Sequence, residues 1–314
     1  MPLEPRIAAQ VAHLFDATWA QVLTGAVEGV RPAAPMRRDD VDRRDLELPG
    51  PGGPLRARWY RSAALDPGEP APALVWAHGG GWQYGDLDMP EADSVAQVVA
   101  GDLPGVVVSV DYRLAPAHRH PAALDDVIAA CRAAVEGAAD LGIDPDRLAL
   151  GGGSAGAHLA CLAARILADG PRPPAALLLA YPVTDPVEGP WDDRHPDCPP
   201  PLWPGPGGIA GLFEGYLGHD PTTAPDDVVP TRVDLSPLPP TLVTTAEVDS
   251  LRAQALHFLG PLQAAGVDVT HHDVDGVLHG YLNTVGDEPR AGAALDRHVA
   301  WLRARLDVGS GTHN

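Results

Sequence analysis

The chain has 314 residues, with 42 acidic and 22 basic side chains and a formal net charge of −20. All 22 basic residues are arginine, which excludes a lysine Schiff base, a pyridoxal-phosphate lysine and a phosphate-binding loop ending in Gly-Lys-[Ser/Thr]. So acidic a surface repels phosphate backbones and anionic lipid, which argues against nucleic-acid and membrane partners. The length is sufficient for a core that needs no disulfide or metal.

Cysteine spacing and the N-terminus exclude several further classes. Cys131, Cys161 and Cys198 are widely spaced, so neither a zinc nor a redox C-x-x-C motif is indicated. Residues 1–10 lack the layout of a signal peptide, and no apolar run approaches the roughly 18 residues of a membrane span. We therefore expect a cytoplasmic protein without a metal or other cofactor, and we allow for a homodimer.

The first predicted element is an amphipathic helix over residues 7–30, where apolar side chains recur at helical spacing. A charged, proline-bearing linker over residues 31–45 follows it. Turn residues at 49–53 then precede residues 55–60, whose alternation predicts a half-exposed strand.

Strands and helices alternate from residue 73 onward. The predicted strands are Ala73–Ala77, Val106–Val110, Arg147–Leu150, Ala176–Ala180, Thr241–Thr245 and Asp268–Val274. The predicted helices are Ala92–Ala100, Ala122–Ala139, Ala155–Ala168, Ser250–Ala265 and Arg290–Leu306. This alternation predicts an α/β fold with a mostly parallel central sheet flanked by helices.

The interval Asp185–Leu238 interrupts the alternation. It is rich in Pro, Gly and Trp, has one helical patch near Ile209–Leu217, and is longer than an ordinary loop, which indicates a lid or cap. We expect three units: cap helices over 1–45, a cap insertion over 186–238, and a catalytic core formed by 46–185 and 239–314.

Residues 147–156 carry the strongest chemical motif. An apolar strand leads into Gly152-Gly153-Ser154-Ala155-Gly156, a G-x-S-x-G sequence, and a predicted helix begins at once. In such a nucleophile elbow the flanking glycines leave room where a Cβ would clash with backbone. Gly151, Gly153 and Gly156 also satisfy G-x-G-x-x-G, so dinucleotide binding and a structural glycine turn stay open as alternatives.

Three further positions complete a candidate site. The glycines of His78-Gly79-Gly80-Gly81-Trp82 follow a buried strand, where their N–H groups can form an oxyanion hole, although a plain glycine loop is the alternative. His279 follows the last predicted strand and Asp249 the one before it, which gives the order Ser154, Asp249, His279. Glu247, closer to its strand, is the rival acid.

The remaining histidines are weaker candidates. His271 and His272 are neighbours in a predicted strand and therefore face opposite sides, so they cannot chelate one metal ion together. His158, on the helix that follows the serine, is interpreted as a packing residue or as a residue that supports the catalytic side chains.

Four segments together resemble the hormone-sensitive-lipase-like family, the family IV bacterial esterases, over most of the chain. They are His78–Gly81, the D-Y-R-L-A-P and P-A-A-L-D-D stretches within 111–126, the L-P-P and D-x-L-R stretches within 238–252, and His279-Gly280-Tyr281. The resemblance implies an α/β-hydrolase fold with a helical cap. It also implies a carboxylesterase that uses Ser154, Asp249 and His279, with an oxyanion hole formed by the N–H groups of Gly79, Gly80 and Ala155.

The chain departs from the family pattern near its serine and elsewhere. Gly153 stands where the family usually has aspartate, and Ala157-His158 where it usually has Gly-Asn. Ala117 replaces an acid, and Ala253-Gln254 replaces an acidic pair. None of these changes removes a catalytic group, but Gly153 removes a supporting polar side chain.

We predict a serine carboxylesterase that hydrolyses short- to medium-chain or aryl acyl esters through an acyl-enzyme, with a small acyl ester as its partner. An amidase or formamidase, an acyltransferase or a secondary-metabolite tailoring enzyme with the same triad is the alternative, and a binding protein on a hydrolase scaffold is another. Trp82 and Tyr84 beside the glycine loop, and Trp203 in the predicted cap, indicate an aromatic substrate pocket, unless they pack the cap on the core.

Overall fold

The computed structural model describes residue 3 and residues 5–16, 33–34, 36–186, 195–199 and 208–306. The strands are β1 (Val41–Gly50), β2 (Gly53–Ser62), β3 (Ala71–Ala77), β4 (Val106–Val110), β5 (Ile143–Gly153), β6 (Ala176–Ala180), β7 (Thr241–Val248) and β8 (Val269–Leu278). The helices are α1 (Pro5–Val11), α2 (Pro90–Asp102), α3 (Ala122–Glu136), α4 (Ala138–Leu141), α5 (Ala155–Leu167), α6 (Gly208–Leu217), α7 (Arg252–Ala264) and α8 (Pro289–Arg305). Short 3-10 turns cover Ala12–Asp16, Pro221–Thr223, Asp226–Val228 and Tyr281–Thr284.

The strands form one eight-stranded sheet in the order β1-β2-β4-β3-β5-β6-β7-β8. The pairs β1–β2 and β2–β4 are antiparallel, and every later pair is parallel. The mostly parallel sheet predicted from the sequence is therefore confirmed. Parallel strands bring their carboxyl ends to one edge, and the residues that follow β3, β5, β7 and β8 meet there.

Helices cover both faces of the sheet. Apolar residues of α3, α5 and α7 pack on one face, and those of α2 and α8 pack on the other. The central strands β3, β4 and β6 are buried along their whole length, which explains why they are continuous apolar runs in the sequence.

Two sequence predictions near the N-terminus need correction. The predicted linker over 31–45 is wrong at its end, because β1 already begins at Val41 and pairs with Ser62 of β2. The sheet therefore begins before residue 46, the predicted start of the catalytic core. The helix predicted from residue 7 is confirmed only as α1 and the following 3-10 turn, and residues 17–32 lie outside the described part of the chain.

The N-terminal residues lie over the ends of β7 and β8. Leu3, Ile7, Val11 and Leu14 form an apolar cluster with Val248 and Leu278, and Cys198 packs against it. These contacts place α1 beside the residues that follow β8. None of the helices in the described ranges has the length and apolar character that a membrane crossing requires.

Candidate active site

Ser154 lies at the turn between β5 and α5, and its backbone has φ 52° and ψ −116°. This strained conformation is the nucleophile elbow that the sequence predicts. A Cβ on Gly156 would overlap the carbonyl oxygens of Ala77 and His78, and one on Gly152 would overlap the backbone of Gly156. The glycines are therefore required by close backbone approach. This local structure holds the Ser154 hydroxyl above the end of the sheet.

The structure brings Ser154, His279 and Asp249 into one line. The hydroxyl Oγ of Ser154 lies 2.9 Å from Nε2 of His279, and Nδ1 of the same ring lies 2.8 Å from Oδ2 of Asp249. A carboxylate can only accept, so Nδ1–H donates to Asp249 and the neutral ring accepts the Ser154 proton at Nε2. The other oxygen of Asp249 accepts the backbone N–H of Leu251 at 2.8 Å, which fixes the carboxylate.

The pKa of His279 depends on its burial and on the carboxylates near its ring. Burial lowers its pKa, but the charge and hydrogen bond of Asp249 and the charge of Glu91 outweigh burial, and the pKa ends above its ordinary value. Asp249 is itself buried, whereas 31% of the His279 side chain is exposed. His279 and Ser154 both line the cavity beside the nucleophile.

Glu247, the rival acid, lies elsewhere. Its Oε2 accepts the backbone N–H of Gly276 at 2.7 Å, near the end of β8. The β7 strand extends to Val248, three residues beyond its predicted end, so Glu247 belongs to the strand and Asp249 is the first residue after it. Strand length therefore decides which carboxylate reaches the histidine.

The glycine loop after β3 is held by side chains around it. His78 is buried, stacks on Tyr112 at 4.4 Å and donates from Nδ1 to the carbonyl of Gly79, while the Tyr112 hydroxyl donates to the carbonyl of His78. Gly80 has φ 109°, and a Cβ there would overlap the carbonyl of Tyr84. The loop needs glycine at this position for both reasons.

The N–H of Gly79, one of the three expected oxyanion donors, is not available for that role. The N–H of Gly79 already donates to Oε1 of Glu91 at 2.6 Å, so it is not free to bind a substrate oxygen. Within the described residues, the N–H groups of Gly80 and Gly81 donate to no protein acceptor. Ala155 begins α5, where N–H groups have no partner in the helix and carry partial positive charge.

Glu91 is a buried residue of the site that the sequence does not predict. It is buried on α2, and its carboxylate also accepts the hydroxyl of Tyr181 at 2.9 Å and the amide of Asn283 at 3.1 Å. Burial raises the pKa of Glu91, and its hydrogen bonds and the nearby His279 oppose that rise. The sequence carries no signal that separates Glu91 from Asp93, a second acidic residue two positions later in the same helix.

Two residues of the predicted aromatic pocket, Trp82 and Tyr84, are not in the described wall of the cavity beside Ser154. Trp82 is 1% exposed and stacks on Tyr216 at 4.9 Å, so it packs the glycine loop against α6 and does not border the cavity beside Ser154. Its backbone φ is 61°. Tyr84 is 60% exposed and is not part of that cavity's described wall, and Trp203 lies outside the described residues.

His158 is a packing residue, as predicted. It is fully buried on α5, accepts the indole N–H of Trp82 at Nδ1 and donates from Nε2 to the carbonyl of Val228 at 2.8 Å. Burial lowers its pKa to about 4.

The other predicted histidines form no metal site in the described residues. His271 contacts the hydroxyl of Thr245 at 2.9 Å, within the sheet. The described residues contain no group of three or more His, Cys, Asp or Glu arranged to hold a metal ion.

A cavity of about 360 Å³ lies beside the Ser154 hydroxyl. Its apolar wall comes from three parts of the chain, and the residues that form it are Ile7 of α1, Met89 before α2, and Leu278 and Tyr281 on either side of His279. The volume is at the small end of the range for ligand pockets. The site can therefore hold a small apolar group next to the nucleophile.

Comparison with known families matches residues 74–283 to the alpha/beta hydrolase fold. The chain belongs to the hormone-sensitive-lipase-like family of α/β hydrolases. This excludes the dinucleotide-binding alternative for the Gly151–Gly156 turn.

Named relatives and solved structures agree with this family. Esterase LipI of Mycobacterium tuberculosis is 35% identical over 269 residues, which cover 83% of this chain and 82% of that protein. Carboxylesterase NlhH of the same organism is 38% identical over 246 residues, which cover 75% and 74%. The hyperthermophilic esterase of the archaeon Pyrobaculum calidifontis matches with a TM-score of 0.80 and 30% identity, covering 98% of this chain and 100% of that one.

Proposed function

We propose that this protein hydrolyses carboxylic esters with Ser154 as nucleophile, His279 as general base and Asp249 as the acid that orients the histidine. Membership of the family makes the protein a carboxylic ester hydrolase, as the sequence motifs predict. The single observation that carries the assignment of residues is the hydrogen-bonded line from Ser154 through His279 to Asp249, with distances of 2.9 and 2.8 Å.

The first half of the reaction forms an acyl-enzyme. His279 accepts the Ser154 proton at Nε2 while Oγ attacks the ester carbonyl, and Asp249 stabilises the imidazolium that results. The tetrahedral intermediate collapses, the imidazolium donates its proton to the departing alkoxide, and an alcohol leaves. In the second half, His279 deprotonates a water molecule as it attacks the acyl carbon. The imidazolium then returns the proton to Oγ of Ser154 as the acid is released.

The oxyanion in this scheme binds to backbone N–H groups. Gly80, Gly81 and Ala155 are the donors that we propose, with Gly81 replacing Gly79, whose N–H is held by Glu91. Donors of this kind are already oriented before the reaction and need no rearrangement when charge develops, and the loss of one costs about 10²–10³ in rate.

The size of the cavity supports small acyl groups. A space of about 360 Å³ with apolar walls at Ile7, Met89 and Leu278 matches the short- to medium-chain esters expected from the sequence. Amide hydrolysis and acyl transfer use the same three residues, so they stay as alternatives for the physiological reaction. The cytoplasmic location and the homodimer also stay predictions.

Hydrolysis of p-nitrophenyl acetate, butyrate and octanoate tests this function, with a fluorophosphonate probe reporting on the nucleophile. We expect the wild type to prefer the shorter esters and to bind one probe per chain at Ser154. Ser154→Ala should lose both hydrolysis and labelling. Hydrolysis that survives Ser154→Ala would refute the assignment, and a folded wild type that neither labels nor hydrolyses would indicate a binding protein.

A further inference from the structure

The Glu91 carboxylate joins three separate parts of the active site. It accepts the N–H of Gly79 in the glycine loop, the hydroxyl of Tyr181 after β6 and the side-chain amide of Asn283 in the turn after His279, at 2.6, 2.9 and 3.1 Å. Asn283 also accepts the backbone N–H of Glu91 at 3.3 Å. Glu91 is 1% exposed, so these three donors replace the water that an ionised carboxylate otherwise requires.

We propose that Glu91 is the positioning residue of the oxyanion loop, and that Gly153 lacks a side chain because the Glu91 carboxylate occupies that place. The proposal rests on the proposed esterase function and concerns how its oxyanion site is held. The hydrogen bonds of the Glu91 carboxylate go to Gly79, Tyr181 and Asn283, and not to the residues of the catalytic line. It acts by fixing Gly79, so that the next two N–H groups of the loop, those of Gly80 and Gly81, face the Ser154 hydroxyl.

The space around Gly153 supports the second half of the proposal. A Cβ built on Gly153 would overlap Oε1 of Glu91 and lie 3.1 Å from the hydroxyl of Tyr181. The backbone of Gly153 does not have the positive φ that favours glycine elsewhere in this chain. The Glu91 carboxylate, and not backbone conformation, therefore excludes a side chain from the position before the nucleophile.

Tyr181 also links the Glu91 carboxylate to His279. The ring of Tyr181 packs edge-on against the ring of His279 at 5.1 Å, and its hydroxyl donates to Glu91. The same carboxylate therefore fixes a neighbour of the general base and a residue of the oxyanion loop. Because both groups act in the transition state, we expect the loss of Glu91 to lower kcat more than it raises KM.

The first experiment compares Glu91→Gln with the wild type on p-nitrophenyl acetate, with kcat counted per fluorophosphonate-labelled site. Glutamine keeps the volume, but its NH₂ group cannot accept from Tyr181 and Asn283 while its oxygen holds Gly79. We expect kcat per labelled site to fall about 10²-fold, the cost of slight misplacement of reacting groups, with KM little changed. An unchanged kcat per labelled site would overturn the proposal, because a merely structural residue changes only the fraction of labelled chains.

The second experiment transfers the carboxylate from position 91 to position 153. Gly153→Asp and Gly153→Ala are each made in the wild type and in Glu91→Ala. In the wild type both substitutions should lower kcat, because the new Cβ meets Glu91. In Glu91→Ala, Gly153→Asp should restore part of kcat by returning a carboxylate to the vacated space, and Gly153→Ala should not. Equal behaviour of the two variants in that background overturns the proposal.

A control variant and the wild-type result keep the outcomes distinct. Asp93→Asn removes another buried carboxylate of α2, one that contacts Arg43, Tyr60 and Gln97 away from the site, and it should lower stability without lowering kcat per labelled site. A wild type that neither hydrolyses nor labels contradicts the proposed function itself. An active wild type with fully active Glu91 variants contradicts only the role of Glu91.

Discussion

The ring of His158 connects the helix after the nucleophile to the predicted cap insertion. Its Nε2–H donates to the backbone carbonyl of Val228 at 2.8 Å, and its Nδ1 accepts the indole N–H of Trp82 at 3.3 Å. Both nitrogens are used, which fixes the neutral tautomer with the proton at Nε2. This histidine therefore holds α5, the glycine loop and the Asp226–Val228 turn together.

His158→Leu should lower the free energy of unfolding by about 2–4 kcal/mol, because it leaves a buried carbonyl and a buried indole N–H without partners. Urea denaturation of the two proteins at pH 7.5 measures the difference. His118→Ala, at an exposed position, is the matched control and should change stability little. A His158→Leu protein as stable as the wild type would show that the bond to Val228 contributes nothing.

The stability of the fold should decrease as the pH falls from 6.5 towards 4. Burial lowers the pKa of His158 to about 4 and that of His298 to about 3, from an ordinary value of 6.5. The unfolded chain therefore binds protons in this interval that the folded chain does not, so this stabilisation is present above pH 6.5 and is lost on acidification. Urea midpoints measured across the interval test the sign, and His158→Leu should show a shallower slope than the wild type.

Asp249→Asn should lower kcat/KM by about 10⁴-fold, as loss of the orienting acid does in the serine-protease triad, because the His279 ring loses the partner that fixes its tautomer. Glu247→Gln removes a carboxylate two residues away that binds Gly276, and its kcat/KM should stay close to the wild-type value. Ester hydrolysis by the two variants, side by side, makes the comparison. The reverse ranking would assign the role to Glu247.

The pH profile of kcat/KM should fall on the acid side with a midpoint above 6.5. The carboxylate of Asp249 raises the pKa of His279 above that ordinary value, and only the neutral ring can accept the Ser154 proton. Activity is therefore lost as the pH drops through the raised pKa. A profile of p-nitrophenyl acetate hydrolysis from pH 5 to pH 9 measures the midpoint, and one below 6.5 contradicts the charge arrangement.

Acyl-chain preference should depend on Ile7 and not on Trp82. Ile7→Phe narrows the cavity beside Ser154 and should reduce the octanoate-to-acetate ratio of kcat/KM, because a longer chain no longer fits. Trp82→Phe alters a buried packing contact and should lower stability by about 1–3 kcal/mol with the ratio unchanged. Gln10→Phe, on the exposed side of α1, is the control for the new aromatic ring.

The alternating fold and the three residues of the candidate catalytic line follow from the pattern of the sequence alone. Continuous apolar runs identify buried parallel strands, and the residues that follow such strands meet at one edge of the sheet. Ser154, His279 and Asp249 could be named for this reason, because each follows a predicted strand. The G-x-S-x-G spacing added the elbow, since only glycine tolerates such close backbone contacts.

The contacts that support these residues come from packing in three dimensions, which the sequence pattern does not show. Glu91 is distant in sequence from Gly153, Tyr181 and Asn283, and no local pattern shows that its carboxylate occupies the space beside Gly153. Its contact with Gly79 likewise changed which N–H groups are free to bind the oxyanion. Periodicity predicts burial and backbone conformation, whereas partner choice depends on packing between segments far apart in the chain.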